Sequence, residues 1–358
     1  MAALSDRQDL FAGTQTVAPH LAFDLAALAS YLSSNLPGFE GPIEATQFKG
    51  GLSNPTYEIR APSGRYVLRR KPPGKLLPSA HAVEREFRVL SALHGRGFPV
   101  PTPYLLCEDA SVIGTPFHLT AFVDGRIFWE PSAPGLGADD RSALFRELNS
   151  TLARLHSFDF EAAGLGDFGK GRDYVRRQIG RWSEQYRASM TETIPEMDAL
   201  IAWLPAAVPP QAEVTLIHGD FRLDNCIVHA DRPDIAAVLD WELSTLGDPI
   251  ADFTYHLMQW HMPPGVGGVG SLRGREGLPG IPSMEAYVEE YCAHRGLPGI
   301  PDVAIYLAYN FFRLAAIFQG IVGRLRDGSA ANANAAMMIR QVKPMAEIAW
   351  RFAREAGA

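Results

Sequence analysis

Residues 214–241 read Val-Thr-Leu-Ile-His-Gly-Asp-Phe-Arg-Leu-Asp-Asn-Cys-Ile-Val-His-Ala-Asp-Arg-Pro-Asp-Ile-Ala-Ala-Val-Leu-Asp-Trp. Two short apolar runs, Val214–Ile217 and Ile235–Leu239, have the length and β-branched content of strands, and their arrangement predicts an apolar hairpin. The first opens into His218-Gly219-Asp220, with Asn225 five residues after Asp220. The second delivers Asp240. A carboxylate, an amide and a second carboxylate so spaced suit phosphoryl transfer, where the protein supplies position and charge rather than covalent chemistry. In that reading Asp220 accepts the proton of an attacking hydroxyl. Asn225 and Asp240 hold Mg²⁺ on the nucleotide phosphates. His218 belongs to the same catalytic motif, as a residue that orders the loop. Asp and Asn also make turns for their own sake, so the rest of the chain has to agree.

At 358 residues the chain suits two domains or one large bilobed one. Its 47% hydrophobic and 20% charged content is that of an ordinary soluble globular protein. A net charge of −7 and a pI near 5.8 argue against nucleic acid as the main partner. Cys107, Cys226 and Cys292 are odd in number, with no metal-ligand spacing, which points to a reduced, cytoplasmic compartment. The polar N-terminus lacks the apolar core of a signal peptide. No membrane span is expected: the most apolar segment, Val303–Val322, is interrupted by Asn310, Arg313 and Gln319 and reads as a buried helix.

Around the central motif the pattern is α+β. Residues 24–35 have helical periodicity behind an Asp24 cap. A glycine turn, Lys49-Gly-Gly-Leu-Ser53-Asn54, leads into strands Thr56–Arg60 and Arg65–Arg70. Its amides, with Ser53 and Asn54, can approach phosphates closely. The helix Ala80–His94 buries Val83, Phe87 and Leu90 and puts Glu86 on or beside that stripe. A buried carboxylate needs a cation, and Arg69 at the end of the preceding strand supplies one. Strands Tyr104–Cys107 and Phe117–Phe122 complete a five-stranded antiparallel sheet. Adenine would lie against the backbone of Ala121–Val123.

Asp124-Gly125 then divides a nucleotide-binding lobe, residues 1–123, from a larger, mainly helical catalytic and substrate lobe, residues 124–358. The helix Asp140–His156 opens the second lobe, and Asp252 is placed to accept hydrogen bonds from the catalytic-loop backbone. Residues 263–283, with seven glycines and four prolines, look like a lid. The helices 302–326 and 333–355 close the chain.

With these residues in place, the chain resembles the aminoglycoside phosphotransferase-like kinases, which have a bilobed protein-kinase-like fold. The resemblance runs from about residue 25 to 330. It rests on His218-Gly-Asp220-x-x-x-x-Asn225 and Leu239-Asp240-Trp241, supported by Arg69, Glu86, Asp124-Gly125 and Leu155-His156-Ser157. It implies Asp220 as catalytic base, Asn225 and Asp240 as Mg²⁺ ligands, and ATP between the lobes. One departure is Arg69, where the family usually has lysine; an arginine keeps the charge but changes the geometry.

The segments Phe48-Lys-Gly-Gly-x-Ser53-Asn54-Pro-Thr, Lys71-Pro-Pro-Gly-Lys-Leu-Leu-Pro78 and Phe312-Arg313-Leu-Ala-Ala-Ile-x-Gln319-Gly320 are similar to one branch. Its domains stand alone in bacteria or are fused to acyl-CoA dehydrogenases. That branch implies a hydroxyacyl-CoA acceptor.

Charge bears on the same question. Residues 261–358 hold ten basic and eight acidic side chains, so the acceptor lobe is slightly basic in an acidic protein. An anionic acyl-CoA suits it better than a polycationic aminoglycoside, with Arg313, Gln319 and Arg324 as candidate substrate contacts. The alternative for Arg313 is a structural ion pair with Asp248, Asp252 or another structural carboxylate. The competing functions are an aminoglycoside kinase, another sugar or choline-like kinase, and a non-catalytic nucleotide or acyl-CoA binding module.

Overall fold

The computed structural model describes residues 8, 10–50, 54–74, 81–265, 270–275, 277–326 and 340–358. They form two compact units. The first comprises residues up to Glu130 together with Glu161–Leu165 and Leu223–Ser244; the second comprises Pro131–Phe160, Gly166–Arg222 and Thr245–Ala358. No single cut at residue 124 separates them, because Leu223–Ser244 fold with the N-terminal residues. One boundary falls between Arg222 and Leu223, inside the central motif.

The first unit is built on an antiparallel sheet with a helix on each face. In chain order it contains β1 (Thr14–Gln15), α1 (Leu25–Asn35), β2 (Glu44–Phe48), β3 (Thr56–Ala61), β4 (Gly64–Arg70), α2 (Val83–His94), β5 (Pro103–Cys107) and β6 (Phe117–Ala121). The strand order is β1-β2-β3-β4-β6-β5. Among the described residues the sheet therefore has six strands, not the expected five. The additional one is two residues long and too short to show an alternating pattern.

Asp24 caps α1, its Oδ1 accepting from the amides of Ala26 and Ala27 at 2.9 Å. Leu28 and Leu32, one turn apart, are buried with Tyr57, Ile59, Leu68 and Phe117 in a single apolar cluster. Truncating either leucine to alanine removes about 2–5 kcal/mol of stability. The period of two along β4 turns Tyr66, Leu68 and Arg70 to buried positions and sets Arg69 on the alternate face. Arg69 stands opposite His118 in the β4–β6 register, and α2 packs on β5 and β6.

Two more strands of this unit, β7 (Cys226–Val228) and β8 (Ile235–Val238), form a hairpin of their own. The two apolar runs that read as one hairpin do not pair with each other. Thr215–Ile217, here β9, pairs antiparallel with β10 (Thr245–Gly247) in the second unit. The cause is a three-residue strand, Cys226-Ile-Val, hidden behind the polar motif. Its partner lies a short turn away, so pairing locally closes a small loop at little entropic cost.

The second unit is mainly helical. It contains α3 (Ala138–His156), α4 (Tyr174–Ser189), α5 (Pro195–Ala207), α6 (Pro249–Leu257), α7 (Met284–Arg295), α8 (Val303–Arg326) and α9 (Val342–Glu355). Residues 333–339 of the last expected helix lie outside the described residues. Val303–Leu325 is in fact long and apolar enough to cross a membrane, but 89% of its most apolar window is buried in the protein. It packs against α9, α4, α6 and α5 and is the core helix of this unit. Asp248 caps α6 by accepting from Ile250 and Ala251.

The described residues of the glycine-rich segment 263–283, expected to be a lid, make hydrogen bonds within the second unit. Arg141 holds the carbonyls of Pro279 and of Ser132 and Leu136, and the Leu272 amide donates to Gln259 O at 2.7 Å.

Candidate active site

In the first unit the chemistry collects around Arg69. Its Nη1 lies 3.1 Å from Glu86 Oε1. Its Nη2 lies 2.7 Å from Asp240 Oδ1 and 3.2 Å from Glu242 Oε2. Burial works against the guanidinium charge, but Glu86, Asp240 and Glu242 outweigh it and raise the pKa further above its ordinary value. Asp240 reaches Arg69 from a left-handed backbone, φ 62°, at the end of β8. Such a conformation is uncommon for a residue other than glycine and is one that aspartate tolerates better than most. The β7–β8 register continues one step past the strands: the Leu239 amide donates to Asn225 O at 2.8 Å. Asn225 and Asp240 are thereby fixed on neighbouring strand ends.

One guanidinium thus faces three carboxylates. Among the described residues no group of three or more His, Cys, Asp or Glu side chains forms a metal cage. A cage is not what Mg²⁺ needs, since it takes one or two protein oxygens and completes its shell with water and phosphate. Asn225 and Asp240 fit that requirement by donor type and by charge.

Asn54 is 1% exposed and links outward from the cluster. Its Nδ2 donates to Glu242 Oε2 at 3.2 Å, and its Oδ1 meets His81 Nδ1 at 2.9 Å. Lys71 pairs with Glu84 at 2.9 Å. Ser53 lies outside the described residues. The Ala121 amide is already used, donating to Thr102 O at 2.8 Å, and the Phe122 amide donates to Arg65 O at 3.3 Å. Of the two residues assigned to adenine, Ala121 therefore cannot offer its N–H. Gly125 lies so close to β7 that a Cβ would come within 2.4 Å of Ile227 and 2.5 Å of Val228 O. Only glycine fits there.

In the second unit Asp220 is held by α6. Tyr255 Oη donates to Asp220 Oδ1 at 2.6 Å, and Arg222 Nε lies 3.3 Å from the same oxygen. The loop backbone is fixed by Asp252. Its two oxygens accept from the amides of His218 and Gly219, each at 2.8 Å. His156 Nε2 lies 3.2 Å from Asp252, and its Nδ1 lies 2.6 Å from Tyr291 Oη. Burial opposes the Asp252 charge, but the hydrogen bond from His156 and the other donors hold its carboxyl below the usual range. Burial likewise keeps the His156 imidazole below its ordinary pKa, against the pull of Asp252.

His218 is fully buried, and its Nδ1 accepts from the Asp220 amide at 3.2 Å. That bond ties the histidine to the backbone of the same loop.

Arg313 was read as a substrate contact. The structure turns it inward: Nη2 donates to Gly219 O at 3.3 Å, and the guanidinium lies 5.3 Å from the Tyr255 ring centroid. Neither Asp248 nor Asp252 is its hydrogen-bond partner there. Gln319 is 3% exposed and donates to Ser189 O at 2.6 Å, which locks α8 to α4. Arg324 is exposed on α8. Sequence reasoning missed Tyr255 and Glu242. Glu242, two residues after Asp240, is the one with a legible signal.

An antiparallel sheet flanked by helices, an arginine–glutamate pair and an Asp-x-x-x-x-Asn loop define a bilobed α+β protein of the protein-kinase-like fold. The chain belongs to the phosphotransferase enzyme family, whose model matches residues 44–297. It is 46% identical over 346 residues to acyl-CoA dehydrogenase family member 10 of Mus musculus, covering 96% of this chain and 32% of that protein. With family member 11 of Rattus norvegicus it shares 40% identity over 352 residues, 97% of this chain and 45% of that one. The chain thus spans less than half the length of these relatives.

Among solved structures, one from Ralstonia eutropha JMP134, provisionally called an aminoglycoside phosphotransferase, is 44% identical with a TM-score of 0.84. It covers 93% of this chain and 99% of its own. Choline kinase from Cryptosporidium parvum Iowa II, at 13% identity and a TM-score of 0.62 over 93% of this chain and 97% of its own, shares the fold alone.

Proposed function

We propose that the protein is an ATP- and Mg²⁺-dependent kinase that phosphorylates the hydroxyl of a small anionic molecule, a hydroxyacyl-CoA. One observation carries the phosphoryl-transfer part: Arg69 gathers Glu86, Asp240 and Glu242 around a single cation. Such a cluster can hold phosphate on the guanidinium and a divalent ion on the carboxylate side. Asp220 takes the proton of the acceptor hydroxyl, Asn225 and Asp240 are the Mg²⁺ ligands, and Mg²⁺ when bound neutralises the phosphate charge. Ser53 and Asn54 are the proposed contacts to the phosphates, and the backbone amide of Val123 is the proposed contact to the base.

The acyl-CoA acceptor is supported by two relatives named for acyl-CoA dehydrogenases and by the basic excess of residues 261–358. With Arg313 and Gln319 turned inward, Arg324 is the member of the assigned set left on the surface. A cytoplasmic location is supported by three buried cysteines, all free.

The test is a panel of hydroxyacyl-CoAs, free hydroxy acids, choline and aminoglycosides, each with ATP or GTP and Mg²⁺. Phosphorylated hydroxyacyl-CoA is the expected product. Turnover of aminoglycosides or choline alone would replace the acceptor and keep the kinase. Nucleotide binding with no transfer to any acceptor would make the protein a binding module.

A further inference from the structure

We infer that Tyr255 is a positioning residue for Asp220, and that Arg313 braces it from behind. The inference rests on the kinase reading above, and it concerns how the base is held. Three observations carry it, all within the second unit. Tyr255 Oη reaches Asp220 Oδ1 at 2.6 Å, the short end of the range for a phenol donating to a carboxylate. The Tyr255 side chain is partly buried; desolvation first, and the Asp220 charge next, push its pKa far above the ordinary value. It therefore stays protonated across the working range and serves only as a donor to this oxygen. Arg313, itself 9% exposed, lies 5.3 Å from the Tyr255 ring and donates to Gly219 O. One arginine of α8 thus restrains both the phenol and the peptide immediately before Asp220.

A carboxylate on a loop is free to rotate about its side-chain torsions. A base that must meet a hydroxyl within hydrogen-bond reach gains from having that rotation stopped before substrate arrives. Asp252 fixes the loop backbone through the amides of His218 and Gly219, which leaves the Asp220 side chain to be set separately. Tyr255 sets it, since the phenol takes Oδ1 in one direction and the neighbouring Arg222 approaches the same oxygen. Gly219 can follow because it has φ 85°, a left-handed conformation open to glycine.

The experiment is steady-state kinetics of Tyr255→Phe in the full chain, with Asp220→Asn as the control for the kinase reading. The phenylalanine keeps the ring on Arg313 and deletes only the donor. The expected result is a fall in kcat of about 10- to 100-fold, with KM for ATP and for acceptor within about twofold. A kcat within twofold of wild type overturns the inference, and so does a loss that appears entirely in KM. If Tyr255→Phe does not fold, Tyr255→His against Tyr255→Ala carries the test. The imidazole, which retains a donor, should restore at least about tenfold in kcat, and equal kcat for the two overturns the inference. If instead Asp220→Asn turns over like wild type, the assignment of the base fails, whatever Tyr255 does.

Discussion

Arg69 and Asp240, 171 residues apart in sequence, meet at 2.7 Å. The same guanidinium lies 3.1 Å from Glu86, so one planar cation spans a helix carboxylate and a loop carboxylate at once. A lysine ammonium is a point charge and cannot face both with paired donors. Arg69→Lys should therefore fold and raise KM for ATP several-fold while sparing kcat more. Arg69→Ala removes the guanidinium that all three carboxylates face and should lower stability by about 3 kcal/mol or more. Denaturant melts of the two variants beside wild type check the difference; equal stability of the alanine variant would remove Arg69 from this structural role.

Nucleotide binding should be visible without any acceptor. Magnesium and ATP together at about 100 times their dissociation constant should stabilise the protein by about 2.7 kcal/mol. Because Asp240 and Asn225 are tied on adjacent strand ends, Asp240→Ala and Asn225→Ala should each abolish the Mg²⁺-dependent part of the shift. ATP with EDTA should give a smaller shift, the same in all three proteins. A Mg²⁺-dependent shift that survives both substitutions would move the metal elsewhere.

The Arg69–Glu86 pair was legible because each residue sits in a regular element with a strong period, one at a strand end and one on an apolar helical stripe. The backbone ties of Asp252 were legible as well, since a carboxylate in a helix first turn near the His218-Gly-Asp220 loop has few other partners. The pairing of Thr215–Ile217 was not. Three-residue strands carry no periodic signal, and the polar motif masked Cys226–Val228. Arg313 misled for a different reason. A cation on an apolar helix calls for something to satisfy it, but sequence cannot tell a carbonyl and a phenol ring from an anionic substrate. Tyr255 was invisible on the same ground, since a tyrosine in a helix between Thr254 and His256 looks like any core aromatic.

Asp252 collects two backbone amides and His156, all pointing at its two oxygens. Asparagine at this place has one acceptor oxygen and turns its NH₂ towards a donor, whichever way it flips. Asp252→Asn should cost about 3 kcal/mol of stability. It should also lower kcat more than it raises KM for ATP, because it releases the loop that carries Asp220. Hydrogen exchange at the His218 and Gly219 amides gives a direct reading: both should lose protection in the variant, and retained protection would mean that other contacts hold the loop.

His256 lies wholly inside the second unit, where burial pushes its imidazole down to about 4. Its Nδ1 lies 3.1 Å from Phe221 O and its Nε2 3.0 Å from Tyr287 Oη. The neutral ring donates to the carbonyl and accepts from the phenol. In the unfolded chain the group returns to about 6.5. Between these two values the unfolded chain binds the extra proton, so stability rises with pH there and falls on acidification from about 6.5 towards 4. The contribution of His256 over that window is on the order of 3 kcal/mol, and the lowered His156 adds in the same direction. His256→Asn keeps a donor for the Phe221 carbonyl but cannot titrate. Guanidinium unfolding at pH 7 and pH 4.5 should show a steeper loss for wild type than for this variant. Parallel losses would place the acid sensitivity in the carboxylates and not in this buried histidine.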